Sequence, residues 1–372
     1  MKVALIHDHL AQDGGAEKVL KVLCEIFPNA PIYTLLYEKE NADKNFKDKQ
    51  IETSIIQRLP GGVKHYKWYL PFMPLAVEFF DLSKFDLVIS DASAFAKGVI
   101  TNTETLHICY CHTPTRYLWS DTHQYINELH YNKYFKKVIS LLLSYIRIWD
   151  RLAADRVDCY IANSNFIAQR IKKYYKRDST VIYPPIDTHN FSIADKIDDY
   201  YLIGGRLVPY KKFDLVIEAF KVTGQKLKIF GSGVDLNRLK NIAGNAKNIE
   251  FLGRVTDEER NKLFERCLAF LQPQEEDFGI TPVESMAGGR PVIALARGGT
   301  KENVISHITG EFFYEQSVDS LVKVLKNFDP YKYDPKIIKA QAEKFSRERF
   351  KKEIKNFIEK EYEKFSSNSC EI

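Results

Sequence analysis

The chain has 372 residues, which is long for a single hydrophobic core, so its length favours two domains. Hydrophobic residues make up 45% and charged residues 28%, as in globular proteins that fold in water. The net charge of +5 is too mild for a nucleic-acid-binding protein, and no basic motif of that kind occurs. A phosphorylated substrate or an acidic membrane surface is compatible with this charge.

The N-terminal apolar run, which ends at His7, is too short for a secretory signal. No other segment has the length of a membrane span. The six cysteines are scattered without zinc or thioredoxin spacing. We therefore expect a cytoplasmic protein whose cysteines, apart from Cys370, are buried free thiols. Peripheral association with the inner face of the membrane is a further possibility.

Short β-branched runs alternate with helical patterns throughout, which predicts parallel sheets with crossover helices. In the first half the patterns predict strands near 2–6, 31–36, 52–56, 85–90, 105–110, 158–162 and 179–182, and helices near 15–26, 133–154 and 164–175. In the second half they predict strands near 200–204, 226–230, 249–252, 267–271 and 291–294, and helices near 211–221, 235–243, 256–265, 281–288 and 317–327.

A proline pair, Pro184-Pro185, marks the predicted domain boundary. We predict an α/β fold with two doubly wound, Rossmann-like parallel-sheet domains facing a cleft, over residues 1–185 and 186–345. Residues 346–372 contain a predicted charged, amphipathic helix. In such sheets ligands bind at the carboxyl ends of the strands, so the candidate site residues are sought there.

Paired glycines, Gly14 and Gly15, follow the first predicted strand and open a helix. Glycines at that position allow a ligand to approach the backbone, and a helix N-terminus favours negative charge. An ordinary tight turn between strand and helix explains them equally well.

Two cations, Arg206 and Lys211, follow the first predicted strand of the second half. Side chains of this kind can bind a diphosphate and stabilise it as a leaving group. The alternative is a solvated basic loop.

The segment 275–289 predicts a turn that opens a helix. Thr281 is the predicted N-cap, with Pro282 at the first helical position. The amides of Gly279, Ile280 and Thr281 would then favour an anion such as phosphate.

Two carboxylates, Glu276 and Glu284, flank this turn and can hold hydroxyl groups on both sides of a bound phosphate. Each has a simpler explanation, because Thr281 and Glu284 have the spacing of a capping box and Glu276 stands among solvated acids. The site interpretation gains weight because both acids and both cations are predicted at strand ends of one sheet.

Histidines raise two further possibilities. His112 follows the strand 105–110 and can contact a substrate hydroxyl, although a lone histidine is more often structural. His7 and His9 would share one face of a strand, but no third ligand is identifiable, so no metal site is predicted.

The basic, apolar segment 133–151 fits an interfacial membrane helix, and a core-facing helix with a solvated face is the favoured alternative.

Taken together, these motifs resemble the retaining glycosyltransferases of family 4, which have the GT-B fold, across nearly the whole chain. The match rests on 14–17, His112, Arg206 with Lys211, and the Glu276-x7-Glu284 pattern. The segment 110–119 looks most like a bacterial branch that includes O-antigen mannosyltransferases.

The resemblance implies a role for each site residue. Gly14 and Gly15 would bind the donor diphosphate and His112 the donor sugar, while Arg206 and Lys211 would stabilise the departing diphosphate. Glu276 would bind sugar hydroxyls and Glu284 the ribose. The remaining implied donor contacts are Val255, Phe278, Gly279, Ile280 and Thr281.

The resemblance also implies a metal-independent reaction without a cofactor, with retention at the anomeric carbon. The first domain would bind the acceptor, for which Asp8, His9, Asp91 and Lys97 are candidates. The second would bind the nucleotide sugar, and the terminal helix would return to the first domain.

The expected activity is transfer of a hexose from a nucleotide sugar to a lipid-linked or polysaccharide-precursor acceptor, with possible peripheral membrane contact. GDP-mannose is the first expected donor and UDP-glucose the second. Other candidate classes are a sugar-nucleotide epimerase and a non-catalytic sugar-nucleotide sensor. A dehydrogenase is least favoured, because the glycine pattern at 231–236 is incomplete.

Overall fold

A computed structural model describes residues 1–11, 14–129 and 131–369. The chain divides into two compact units. The first unit is Met1–Pro185 together with the residues from Phe350 onward, and the second is Ile186–Arg349.

Within the described residues, the first unit contains a seven-stranded parallel sheet in the order β3-β2-β1-β4-β5-β6-β7. Its strands are β1 Val3–Leu10, β2 Ile32–Tyr37, β3 Ile51–Thr53, β4 Leu87–Ala92, β5 Leu106–Cys111, β6 Cys159–Ala162 and β7 Thr180–Val181. Its helices before the second unit are α1 Gly15–Ile26, α2 Lys39–Phe46, α3 Met73–Glu78, α4 Thr122–Glu128, α5 Lys133–Ala153 and α6 Asn165–Tyr175.

The central strands of this sheet are buried on both faces, as parallel strands covered by helices require. All six residues of β4 and all six of β5 are buried. Side chains of one face, such as Ile6 and Val88, belong to one core cluster. Those of the other face, such as Leu5 and Ile89, belong to a second cluster.

The second unit contains a parallel sheet in the order β10-β9-β8-β11-β12-β13. Its strands are β8 Tyr201–Gly204, β9 Leu227–Phe230, β10 Ile249–Gly253, β11 Phe270–Gln272, β12 Val292–Leu295 and β13 Gly310–Phe313. Its helices are α7 Phe213–Thr223, α8 Leu236–Ala243, α9 Asp257–Arg266, α10 Ile280–Ala287, α11 Thr300–Asn303, α12 Val318–Asn327 and α13 Pro335–Glu343.

The last helix, α14, is Arg347–Ser369. Its side chains Phe350, Ile354 and Ile358 are buried in the core of the first unit, beside Leu20 and Leu23 of α1. The chain therefore supplies one wall of the first unit from its C-terminal end.

The strand order reverses once near the centre of each sheet, so that the chain continues in opposite directions from two neighbouring strands. These pairs are β1 with β4 in the first unit and β8 with β11 in the second. Such switch points open a crevice at the carboxyl ends of the strands. The α/β fold class and the two parallel sheets predicted from the sequence are confirmed.

The segment-level predictions were incomplete in several places. Strand β13 and helices α2, α3, α4, α11 and α13 were not predicted. The strand predicted at 52–56 ends at Thr53, because Ser54 caps a short 3₁₀ helix, Ile55–Arg58, and its side chain accepts a hydrogen bond from the Ile56 amide.

None of the helices in the described part of the chain combines the length and the apolar character that crossing a bilayer requires.

Candidate functional site

In the second unit, the predicted cation and carboxylate meet at the switch point. Lys211 lies in a 3₁₀ turn after β8, and Glu276 lies in the loop after β11. The Lys211 Nζ is 3.5 Å from the Glu276 Oε1, and both side chains are largely buried. The Gln274 Nε2 donates to the same carboxylate oxygen at 2.8 Å, so the Glu276 side chain is held from two sides.

The backbone after β8 is shaped by glycine. Gly205 has a φ of +125°, and a Cβ atom added there would lie 3.5 Å from the Lys211 Nζ. The next residue, Arg206, donates from its Nη2 to the Tyr210 hydroxyl at 3.2 Å. Both predicted cations therefore lie on one short loop at the end of β8.

Helix α10 begins differently from the prediction. Its N-cap is Gly279, with a φ of +89°, and its first residue is Ile280. Thr281 and Pro282 are the second and third helical residues, so the predictions of Thr281 as N-cap and Pro282 as first residue were wrong. The positive φ explains the shift, because glycine adopts the left-handed conformation at little cost.

The N-terminal end of α10 nevertheless lies close to where the sequence predicted it. Within the described residues, the amides of Gly279, Ile280 and Thr281 have no protein acceptor, as expected for the first turn of a helix. Pro282 lacks an amide hydrogen and leaves none unpaired. These three amides give the loop a positive end beside Glu276.

A second segment, residues 297–303, which ends in helix α11, holds the loop that carries Glu276. The Gly299 amide donates to the Glu276 carbonyl at 2.8 Å. The Asn303 Nδ2 donates to the carbonyl oxygens of Phe278 at 2.8 Å and Gly279 at 3.2 Å. A Cβ on Gly298 would lie 2.3 Å from the Glu276 carbonyl oxygen, so the backbones touch and only glycine fits.

The other predicted donor contacts occupy separate positions around α10 and β10. Glu284 is buried in α10, and its Oε1 is 3.9 Å from the Arg260 Nη2 of α9. Because Thr281 is not the helix cap, the alternative that Glu284 completes a capping box was wrong. Phe278 is buried and packs edge-on against Phe345, which makes it a core residue under the loop. Val255 is half-buried between β10 and α9.

In the first unit, the glycine pair opens α1 as predicted. Gly14 is the N-cap, and its amide donates to the Glu17 Oε2 at 2.9 Å. Gly15 is the first helical residue. Glu17 is only 3% exposed, and its other oxygen lies 3.8 Å from the His7 Nε2.

Asp91 connects two histidines at the switch point of the first sheet. His7 on β1 contacts the fully buried Asp91 on β4 through its Nδ1 at 2.8 Å. His112, just after β5, contacts the other carboxylate oxygen through its Nε2 at 2.6 Å. The side chain of His112 is 12% exposed, so its ring still reaches the surface.

Two opposing effects set the charges of this group. Burial works to lower the pKa of His7, but its bonds with Asp91 and Glu17 outweigh burial and raise that pKa to about 10. Burial likewise works to raise the pKa of Asp91, but His112 and His7 hold that pKa below its ordinary value. At neutral pH the pair is therefore a buried His7 cation and Asp91 anion.

Two of the proposed acceptor contacts are engaged inside the protein. The Asp8 carboxylate accepts hydrogen bonds from four successive amides, those of residues 93–96, at 2.6–2.8 Å. Lys97 is 1% exposed and pairs with Asp150 at 2.5 Å. Both side chains are therefore held by internal bonds, and their contact with an acceptor stays a prediction. Burial lowers the pKa of His9, the third candidate, which packs against Tyr66.

No group of three or more His, Cys, Asp or Glu side chains is placed to hold a metal ion in the part of the chain that is described.

Sequence reasoning missed the partners of the site residues more than the residues themselves. It assigned no role to Gln274, Arg260, Asn303 or the glycines at 298–299. A Gly-Gly pair that begins three residues after the end of a buried strand, as at 298–299, is a readable signal for close backbone contact. The pairing of Asp91 with His7 had no local signal, because the two residues are 84 positions apart.

Comparison with known families covers nearly the whole chain in two adjoining pieces. Residues 13–190 match the family Glycosyltransferase Family 4, and residues 187–357 match Glycosyl transferases group 1. The junction of the two matches lies at the boundary between the two compact units.

Whole-chain relatives agree with these families. The chain is 27% identical to the Alpha-1,3/1,6-mannosyltransferase ALG2 of Dictyostelium discoideum, over 83% of this chain and 85% of that protein. Its fold is similar to the crystal structure of Anabaena Alr3699/HepE in complex with UDP and glucose. That likeness has a TM-score of 0.72 at 18% identity, covering 96% of this chain and 99% of that one.

The fold is also similar to the sucrose-phosphate synthase of Thermosynechococcus elongatus. That likeness has a TM-score of 0.73 at 15% identity, covering 96% of this chain and 99% of that one. Fold and family matches together identify the chain as a glycosyltransferase of the GT-B fold, built from a family 4 domain followed by a group 1 domain.

Proposed function

We propose that the protein is a retaining, metal-independent hexosyltransferase that moves mannose from GDP-mannose to a lipid-linked or polysaccharide-precursor acceptor. The observation that carries the proposal is the Lys211–Glu276 pair, 3.5 Å apart, beside the N-terminus of α10 at a sheet switch point. A cation, a carboxylate and free amides together suit a diphosphate joined to a sugar.

The proposed chemistry uses charge rather than a protein nucleophile. The bond from the anomeric carbon to the donor's phosphate oxygen breaks, and its electron pair leaves with the nucleoside diphosphate. The acceptor hydroxyl oxygen bonds to the anomeric carbon on the same face and gives up its proton to the departing phosphate. Arg206, Lys211 and the amides of 279–281 neutralise the growing negative charge, the role for which preorganised donors are most effective.

Carboxylates orient the sugar and nucleoside in this proposal. Glu276, held by Gln274 and Lys211, accepts hydrogen bonds from sugar hydroxyls. Glu284 binds the ribose, and Val255 lies near the base. In the first unit, Gly14 and Gly15 contribute to diphosphate binding and His112 contacts the sugar. The Gly14 amide is already bonded to Glu17, so Gly15 is the stronger candidate of the pair.

The choice of donor and acceptor follows the relatives. The Dictyostelium relative is named as a mannosyltransferase, which supports mannose. UDP-glucose is the second candidate donor, because the similar Anabaena structure holds UDP and glucose. The likeness of residues 110–119 to O-antigen mannosyltransferases supports a polysaccharide-precursor acceptor. A cytosolic location is supported by the five described cysteines, all of which are free thiols.

The first experiment compares donors by thermal shift. The protein is heated with GDP, GDP-mannose, UDP or UDP-glucose, and the donor that binds raises the melting temperature by mass action. We expect the guanosine ligands to give the larger shift. A larger shift with the uridine ligands would replace GDP-mannose by UDP-glucose, and no shift with any of them would contradict the donor site.

The second experiment measures transfer. Release of nucleoside diphosphate is followed with a polyprenyl-diphosphate-linked oligosaccharide as acceptor. We expect Arg206→Ala and Glu276→Ala to lower kcat by about 10²–10³, as loss of one preorganised charge partner does. Lys226→Ala, an exposed lysine of the same unit paired with Asp199, is the matched control and should keep full activity. Conversion of the donor sugar without acceptor would instead identify an epimerase.

A further inference from the structure

A strip of large apolar side chains runs along the exposed face of α5. Its members, here called the α5 strip, recur every three or four residues and therefore share one helix face. They are Tyr134, Val138, Leu141, Tyr145, Ile148 and Leu152, and each is 59–73% exposed. The opposite face of α5, with Leu143, Ile146 and Ala153, is fully buried in the core. The helix thus packs with one apolar face and presents a second to solvent.

A second strip lies on the segment that precedes β4. Its members, here called the aromatic strip, are Trp68, Phe72, Leu75 and Phe79, with exposures of 72%, 58%, 49% and 66%. They are spaced by four, three and four residues along a 3₁₀ helix, Tyr66–Phe72, and α3, with Phe79 directly after the end of α3. Sequence analysis predicted neither the helical structure nor the exposure of this segment.

The two strips lie on neighbouring elements. Trp149 of α5 donates from its Nε1 to the Glu78 Oε1 at the end of α3, at 2.8 Å. Ile148 and Phe79, the chain neighbours of those two residues, are both about two-thirds exposed. One hydrogen bond therefore joins the elements that carry the α5 strip and the aromatic strip.

The charged side chains in the two segments that carry most of the strips are all basic. No Asp or Glu occurs in residues 54–77 or 129–149, the segments that carry most of both strips. The same segments contain seven cations: Arg58, Lys64, Lys67, Lys133, Lys136, Lys137 and Arg147. The acids that directly follow the two segments are engaged, since Glu78 pairs with Arg156 at 2.6 Å and Asp150 is buried with Lys97. Glu128, which directly precedes residue 129, is exposed.

We infer that the α5 strip and the aromatic strip together form a docking surface for the face of a bilayer rich in anionic phospholipid. Exposed Trp, Tyr and Phe side chains are suited to the interfacial region, and lysines beside them are attracted to anionic headgroups. A second copy of the chain fits less well, because pairing two such faces would bring the seven cations of one copy against the seven of the other. The inference relies on the proposed function in one respect only, which is that a lipid-linked acceptor gives the enzyme a reason to bind a membrane.

Vesicle flotation tests the inference without donor or acceptor, so it can fail while the proposed transfer stands, and the reverse. The protein is mixed with vesicles of phosphatidylcholine alone or of phosphatidylcholine and phosphatidylglycerol in equal amounts. We expect it to float with the anionic vesicles and to be released by salt. Leu141→Asp and, separately, Trp68→Asp should each lower the bound fraction about tenfold, since each places a carboxylate in the contact.

One control and one charge variant make the result specific. Val222→Asp changes a side chain of the second unit that is 62% exposed and should float like the unchanged protein. Lys136→Gln with Lys137→Gln should weaken binding to anionic vesicles. All these variants change partly or fully exposed side chains, so their melting temperatures should stay close to that of the unchanged protein.

Failure of the unchanged protein to float with anionic vesicles would overturn the inference, as would equal flotation of Leu141→Asp and Val222→Asp. A dimer in solution that Leu141→Asp converts to monomer would also overturn it, because a second copy would then cover this face. Loss of binding in Leu141→Asp alone, with Trp68→Asp unchanged, would contradict the joint surface.

Discussion

At the residue scale, the buried His7–Asp91 pair makes stability depend on pH in a defined direction. The pKa of His7 is raised to about 10 in the folded protein, above its ordinary value of 6.5. The stabilisation is therefore complete below about pH 6.5 and is lost as the pH rises through about 10. We expect the melting temperature of the unchanged protein to exceed that of His7→Gln most at pH 6, and the difference to shrink steadily towards pH 10.

Other groups also titrate at alkaline pH, so the difference between the two proteins is the quantity to follow in thermal unfolding. A difference that grows with pH would show that His7 is buried neutral.

The same pair should position His112, because Asp91 accepts from both rings. Asp91→Asn removes that charge, and we expect it to lower kcat and to shift the pH profile of transfer.

Glycine at 298 offers a second test at this scale, with a matched control in the same unit. Gly298 and Gly224 have nearly equal φ angles, +68° and +72°. A Cβ on Gly224 meets nothing within 4 Å, whereas one on Gly298 would lie 2.3 Å from the Glu276 carbonyl oxygen. Gly224→Ala should cost about 1–2 kcal/mol, the usual price of a left-handed alanine, and keep its activity. Gly298→Ala should lose more stability and most of its transfer activity, measured by urea unfolding and nucleotide release.

Equal behaviour of the two alanine variants would mean that the segment 297–303 does not position Glu276.

At the element scale, α5 is attached to the first unit by a buried polar contact. Asp150 accepts hydrogen bonds from Lys97 at 2.5 Å, Thr115 at 2.9 Å and the Trp119 indole at 2.7 Å. Asp150→Ala leaves the Lys97 charge buried and unpaired, so we expect a loss of about 3–5 kcal/mol in the free energy of unfolding. The double variant Lys97→Met with Asp150→Leu removes both charges and should lose less.

Denaturant unfolding of the three proteins decides this point. A double variant less stable than Asp150→Ala would show that the pair contributes net stability beyond satisfying one buried charge.

Elements with strong periodic patterns were predictable, and their ends were not. Strands β4 and β5 were predicted within two residues, because parallel strands buried on both faces read as continuous apolar runs. Strand β1 runs four residues past its predicted end, and β11 begins three residues after its predicted start. The start of α10 was misplaced because Thr281 and Pro282 have good capping propensity, while the true cap, Gly279, is chosen by its backbone conformation. Strand β13 was not predicted because its four residues, Gly310–Phe313, begin with glycine and include an acid.

At the scale of the whole molecule, the predicted residues of each site share a sheet edge because of strand order, which the sequence shows only indirectly. Lys211 and Glu276 are 65 positions apart, yet β8 and β11 are neighbours in the sheet. Alternation of strands and helices predicts this neighbourhood in outline. It does not reveal which side chains bond to one another, and so the bonds of Gln274, His7 and Asn303 emerged only from the structure.

The C-terminal helix gives the last prediction, because the first unit depends on a wall supplied from the far end of the chain. Phe350, Ile354 and Ile358 are 0%, 1% and 3% exposed in that core. Burial of such side chains contributes about 1.5–3 kcal/mol each, or roughly 5–9 kcal/mol together. That sum is comparable with the entire stability of many domains, about 5–15 kcal/mol.

Truncation after Arg349 should therefore unfold the first unit or make it aggregate, while the second unit, Ile186–Arg349, keeps its own core. Truncation after Ser366 is the control, since it leaves all three buried side chains in place and should melt at nearly the original temperature. The readout is thermal unfolding followed by limited proteolysis, which reports which unit is cleaved first. A protease-resistant first unit after truncation at Arg349 would show that its remaining core, around Leu5 and Ile89, is sufficient without the helix.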